Sequence, residues 1–154
     1  MKYLLASALI LTAACASTHA PQSTSQPGHG ALTIQIVPNP IVAKSMGGSK
    51  YVFPFDVVLR ETGGHPVTIT RVRADVTALG GIHVATESYD AAKIASLGFS
   101  TQVPPNGELR YHFSPEESVP DDRLFGGVVA ELTAEGVDDT GAPTMARISV
   151  TVTK

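Results

Sequence analysis

The sequence predicts an all-β fold, a β-sandwich of about seven to eight strands with one short helix. Three observations predict it. From Ala31 onward apolar residues recur at every second position in one run after another, the spacing that places alternate side chains on one face of a sheet. Gly, Pro, Asn and Asp interrupt these runs about every ten residues, as turns between short strands require. Only residues 88–97 carry apolar residues at helical spacing. The same alternation also permits a small β-barrel or a jelly roll, which is the alternative.

The chain opens with Met1-Lys2-Tyr3, a short positive segment, and the apolar run Leu4 to Leu11. That run is too short to span a bilayer, which takes about 20 apolar residues, and has the length of a signal-peptide core. Thr12-Ala13-Ala14 then lead into Cys15, the only cysteine. This arrangement resembles the bacterial lipobox, although Thr12 stands where that motif prefers Leu. The resemblance implies removal of residues 1–14, a diacylglyceryl group on the Cys15 thiol and fatty acyl chains such as palmitate. Such a lipid buries many methylenes at about 0.8 kcal/mol each and anchors without any protein insertion. Ala16, in place of Asp, implies the outer membrane within the Gram-negative lipoproteins. A simple secretory cut after Ala16 is the alternative, leaving a soluble periplasmic or secreted protein. Residues 15–30 hold no carboxylate, Lys, Arg or large apolar group, so a flexible lipid-anchored tether is expected there.

The domain is expected over residues 31–154. Leu32, Ile34 and Ile36 alternate in the first strand, which stops at Pro38-Asn39-Pro40. In the second run Phe53, Phe55, Val57 and Leu59 share a face, and Pro54, lacking an amide donor, demands an edge or a bulge. Glu61-Thr62-Gly63-Gly64 makes the next turn. Between Val67 and Leu79 the apolar phase switches from Val67 and Ile69 to Val72, Ala74 and Val76, which requires an extra residue near Thr70-Arg71. Ile82 to Thr86 reads as a short strand. The helix follows, with Ser88 as N-cap and Gly98 as its stop. Leu109, Tyr111 and Phe113 mark another strand, and the last two run through Leu132 and Val150 about an Asp138-Asp139-Thr140-Gly141 turn. Phe55, Leu59, Leu132 and Val150 are expected in one core. With this strand count and these turns, residues 31–154 resemble the immunoglobulin-like and fibronectin-like domains of bacterial envelope proteins. The Cys-Trp-Cys core of antibody domains is absent from the sequence, so packing alone must hold the sandwich.

Function classes narrow by composition. Charged residues make up 16% and the net charge is -3, so a basic nucleic-acid surface is excluded. One cysteine excludes a disulfide framework within the chain and any Cys-rich metal site. No catalytic motif is present; His65, His83 and His112 read as surface histidines, and His19 and His29 as polar filler of the tether. Asp121-Asp122 and Asp138-Asp139 invite calcium but lack the ligand spacing of a dedicated loop. The carboxylate-rich stretch Pro115 to Arg123 reads as a solvated loop. Thus the expectation is a non-enzyme with no catalytic, cofactor-binding or metal residue, and with Cys15 as its lipidation site. Its partners are the membrane, through the lipid, and an unknown protein or glycan. The domain itself is expected to be monomeric. A periplasmic inhibitor or chaperone-like binder of another protein is the alternative role.

Overall fold

A computed structural model describes residues 20–154. The signal segment and Cys15 lie outside the described residues. Thirteen strands occur in chain order: β1 Gln22–Thr24, β2 Leu32–Val37, β3 Ile41–Val42, β4 Lys44–Gly47, β5 Lys50–Val52, β6 Phe55–Glu61, β7 Val67–Ala78, β8 Ile82–Asp90, β9 Gln102–Val103, β10 Glu108–Phe113, β11 Glu116–Ser118, β12 Val128–Asp138 and β13 Pro143–Thr153. One short helix, α1 Ala91–Ser96, follows β8.

The large sheet runs β1-β13-β12-β7-β8, with β3 beside the far half of β13 and β9 beside the start of β7. A three-stranded sheet, β10-β6-β2, covers its inner face, and a small sheet, β11-β5-β4, lies at one end. The two main sheets pack Leu32, Ile34, Ile36, Val57 and Leu59 against Val72, Leu132, Ile148 and Val150, all in one buried cluster. Tyr111 joins that core, donating its hydroxyl to the Ser100 carbonyl at 2.9 Å, and burial pushes its phenol up to about 12. The architecture is an all-β sandwich, with Leu59, Leu132 and Val150 buried as expected and Phe55 half-buried against them.

The phase switch in β7 has the expected cause. Ile69 pairs with Gly136 and Arg71 with Glu135, so Thr70 is the extra residue of a bulge. Elsewhere the elements differ in extent. The helix begins at Ala91, because Tyr89 and Asp90 still pair with Val72 and Arg71. Asp90, not Ser88, is the N-cap, accepting the Lys93 amide at 2.8 Å. Gly98 at φ 82 ends it as expected. Pro54 sits neither at an edge nor in a bulge of a longer strand, since β5 ends before it and β6, the central strand of its sheet, begins just after it. The stretch expected as an acidic loop contributes β11, with Glu116–Ser118 paired to β5, and a 3-10 turn over Asp122–Phe125.

The tether expectation needs correction from Gln22 onward. Gln22, Ser23 and Thr24 pair antiparallel with Arg147, Ala146 and Met145 of β13. Ser23 also donates its hydroxyl to the Leu32 carbonyl at 2.6 Å. A segment without apolar side chains is held here by backbone hydrogen bonds to an otherwise open sheet edge, an option that composition does not reveal.

Candidate functional site

The sandwich has two unlike ends. At the first, where β2 and β13 begin and β6 and β12 finish, two buried carboxylates act as acceptors for loop amides. Glu61 ends β6 pointing inward and is 2% exposed. Its Oε1 accepts the amides of Ala31 at 3.0 Å and Gly63 at 2.5 Å, and Oε2 those of Gly64 at 2.9 Å and Asn106 at 2.8 Å. Burial alone raises its pKa, yet these four amides outweigh it and hold the carboxyl below its ordinary value. Asp138 ends β12. Its Oδ1 accepts the Thr140 hydroxyl at 2.6 Å, the Thr140 amide at 2.9 Å and the Ala142 amide at 2.8 Å, while Oδ2 accepts the Gly30 amide at 3.0 Å. The Thr140 hydroxyl is the largest of the influences that hold this carboxyl far below the usual carboxylate range.

Two histidines lie over that end. His29 Nδ1 is 3.2 Å from Asp138 Oδ2 and 3.0 Å from Thr140 Oγ1, and His65 Nδ1 is 3.1 Å from Asp139 Oδ1. His29 therefore belongs to the folded unit. The Asp138-Asp139 pair is committed to turn geometry and histidine contacts, and Asp121 is likewise committed to Arg123. Asp122 accepts from Tyr51 at 2.5 Å and from Lys154. No group of three or more potential ligands among the described residues is arranged to hold a metal ion.

The second end, where β2, β3, β10 and β13 finish, is different in chemistry. An open cleft of about 280 Å³ there is lined by Val37, Pro38, Val42, Lys44, Pro54, Phe55, Asp56 and His112. Beside it an ion ladder crosses the outer face of β6 and β10. Arg60 pairs with Glu108, and Arg110 bridges Glu108 and Asp56; His112 donates to Asp56 from Nδ1 at 2.7 Å. The hydrogen bonds from His112 and then Arg110 lower the Asp56 pKa. Ser114 Oγ lies 3.3 Å from His112 Nε2, completing an Asp-His-Ser chain. Sequence reading missed this chain because Asp56 and His112 are neighbours only through strand register. The signal available was His112 and Ser114 two positions apart where the alternating run Leu109, Tyr111, Phe113 ends. His112 is 67% exposed in its side chain and stands in water beside the cleft. His83 is also on the surface, bonded to Thr86 at 2.8 Å.

Apolar exposure concentrates at this second end. Register places Val42 beside Thr153, Val128 beside Val152, and Ile82 beside Ala78, beyond the level of Val129 and Thr77. Of the seven large apolar side chains that are exposed among the described residues, six (Val37, Val42, Met46, Ile82, Val84 and Leu124) occur here, and only Leu97 does not. No helix among these residues is long and apolar enough to cross a membrane.

No protein-family model matches the chain, and no curated protein does. Similar solved structures exist. The chain resembles the X-ray structure of target SoR45 of the Northeast Structural Genomics Consortium, with a TM-score of 0.58 and 14% identity over 84% of this chain and 90% of that one. It is also similar to the CARDB domain of the PF1109 protein from Pyrococcus furiosus, solved in complex with di-metal ions. There the TM-score is 0.42 and the identity 17%, over 80% and 89% of the two chains. At these identities the first likeness shows a shared fold alone, and the second is too loose to carry an argument. The chain is an all-β sandwich, with one end organised by buried carboxylates and the other rich in exposed apolar side chains.

Proposed function

We propose that this chain is a non-catalytic cell-envelope lipoprotein, an immunoglobulin-like β-sandwich module held at the outer membrane by lipid on Cys15. The observation that carries the reading is the place of the single cysteine. It stands just after the apolar run and the small residues Thr12-Ala13-Ala14, and only seven residues before the first described strand at Gln22. A cysteine there has no partner in the chain for a disulfide, and acylation gives it a role. The commitment of Glu61 and Asp138 to backbone amides supports a structural or binding module over a reacting one.

Cys15→Ser tests the anchor. The wild-type protein is expected in the membrane fraction and the variant in the soluble one. Intact mass spectrometry of mature wild-type protein beginning at an unmodified Ser17 overturns the reading.

The exposed apolar side chains at the second end favour one further role, an inhibitor or chaperone-like binder of another protein. Cross-linking of the intact envelope followed by pull-down separates the roles by whether one defined protein is recovered, and whether Ile82→Asp abolishes its recovery.

A further inference from the structure

The chain enters the fold in a definite direction. Because β1 is antiparallel to β13, its N-terminal end at Gln22 points toward the end of β13 at Val152 and Thr153, the side on which β3, β4 and the cleft lie. Gln22 lies level with Arg147, six residues short of Thr153. At about 3.4 Å per residue that is about 20 Å of sheet. From Cys15 to Gln22 the chain has seven residues, which reach at most about 25 Å when fully extended. The connection is thus long enough to cover that distance. A lipid on Cys15 holds the bilayer surface within about 25 Å of Gln22, which puts the Thr153 end of the sandwich within its reach.

That same end carries six of the seven large apolar side chains that are exposed among the described residues. Reach and apolar exposure are independent observations, one set by chain length and strand direction and the other by side-chain burial. Among the described residues Lys44 and Lys50 make no ion pair and flank Met46 on the β4-β5 hairpin. Glu116 and Glu117 on β11 offset their charge, so the end is apolar and near neutral rather than strongly basic. Such a surface suits the zwitterionic headgroup region of a bilayer, into which short apolar side chains settle without crossing it.

We infer that the β3-β4 end of the sandwich, with Val42, Met46 and Ile82, is a docking face for the phospholipid surface that holds the anchor. The inference rests on lipidation at Cys15. The opposite end, with His65 and Asp139, then faces away from the membrane and is the part presented to the aqueous space.

The sequence contains no Trp, so single Trp probes report directly. The whole chain, acylated in its host, is purified in detergent and reconstituted into phosphatidylcholine vesicles with or without brominated acyl chains. Met46→Trp and Ile82→Trp replace exposed residues at the docking face, and Thr62→Trp an exposed one at the far end. Circular dichroism melts confirm that each variant folds. Brominated lipid is expected to quench the first two by about twofold or more and to leave the third unchanged, because bromine acts only at bilayer contact. Protein that floats with the vesicles while Met46→Trp and Ile82→Trp stay unquenched overturns the docking face, leaves the anchor intact and frees this end for a protein partner. Protein that carries no acyl group and does not float overturns the anchor and the docking face together.

Discussion

Glu61 and Asp138 hold consecutive backbone amides. The Ala31 N–H donates to Glu61 Oε1, and the Gly30 N–H immediately before it donates to Asp138 Oδ2. Two carboxylates at the ends of strands in different sheets thereby fix the point where the chain turns into β2. Each also gathers its own turn, Glu61 the Gly63-Gly64 loop and Asp138 the hairpin to β13. Such buried acceptors work because every lone pair has an amide or hydroxyl to meet.

The first prediction is acid sensitivity centred on this end. Both carboxyls are held below their ordinary values of 4.5 and 3.8. A depressed folded-state value means stabilisation that is fully present above the unfolded-state value and lost as pH falls through the folded one. The melting temperature should therefore change little between about pH 7 and pH 5 and fall steeply below about pH 4. Glu61→Gln should lower it at neutral pH and make the acid limb shallower; an unchanged limb in thermal melts would discount Glu61. Glu61→Ala orphans buried amides at about 1–3 kcal/mol each, so it should cost about 3 kcal/mol or more in urea titration.

Gly136 supplies a second prediction. It sits beside the bulge on β7, where an added Cβ would lie 2.6 Å from Val67 Cγ1 and 2.8 Å from the Thr68 carbonyl oxygen. One of those neighbours is backbone inside a paired strand and cannot yield. Gly136→Ala should destabilise by about 1–3 kcal/mol through overpacking, whereas Gly141→Ala, with open space around it at φ 85, meets only the conformational penalty of about 1–2 kcal/mol. Chemical denaturation of the two variants separates steric from backbone strain.

A third prediction checks strand phase. Leu132 is buried between the sheets, while its neighbour Glu131 faces outward and meets Arg147 at 3.5 Å. Leu132→Ala should cost about 2–5 kcal/mol and Glu131→Ala less than about 0.5 kcal/mol. Equal costs would mean that the inward and outward faces of β12 are reversed.

How far the sequence could be read follows from the range of the forces involved. Alternation in β12 and β13, the Asp138 turn and the Thr70 bulge are local, since period-two patterning and turn chemistry act over a few residues. The roles of Glu61 and Asp138 were not legible. Each is an ordinary acidic residue beside a glycine-bearing turn, and its significance comes from amides 30 and 108 positions away along the chain. Pairing of Gln22 to Thr24 with β13 was hidden for a related reason, because backbone hydrogen bonding has no composition signature. The second end was partly legible. His112 reads as a surface histidine from the sequence, but its pairing with Asp56 needed the register of β6 and β10.

The last prediction concerns that Asp56-His112-Ser114 chain, which has the order of roles of a hydrolytic triad. With Nδ1–H donated to Asp56, the His112 Nε2 lone pair is free to accept from the Ser114 hydroxyl, so connectivity alone permits a nucleophile. Three features weigh against reaction. The Ser114 contact is long at 3.3 Å, the imidazole is two-thirds exposed, and Arg110 occupies the second Asp56 oxygen at 2.8 Å as part of a surface ion ladder. Rate enhancement in acyl transfer comes largely from fixed donors aimed at the developing oxyanion in a site shielded from water, and an open sheet face does not shield one. The wild-type protein should therefore resist labelling by a fluorophosphonate probe, and Ser114→Ala should leave the background hydrolysis of p-nitrophenyl acetate within about twofold of wild type, far from the thousandfold or larger loss expected when a working triad is broken. Stoichiometric labelling at Ser114, lost in Ser114→Ala and in His112→Gln, would make this face an esterase centre and end the non-catalytic reading.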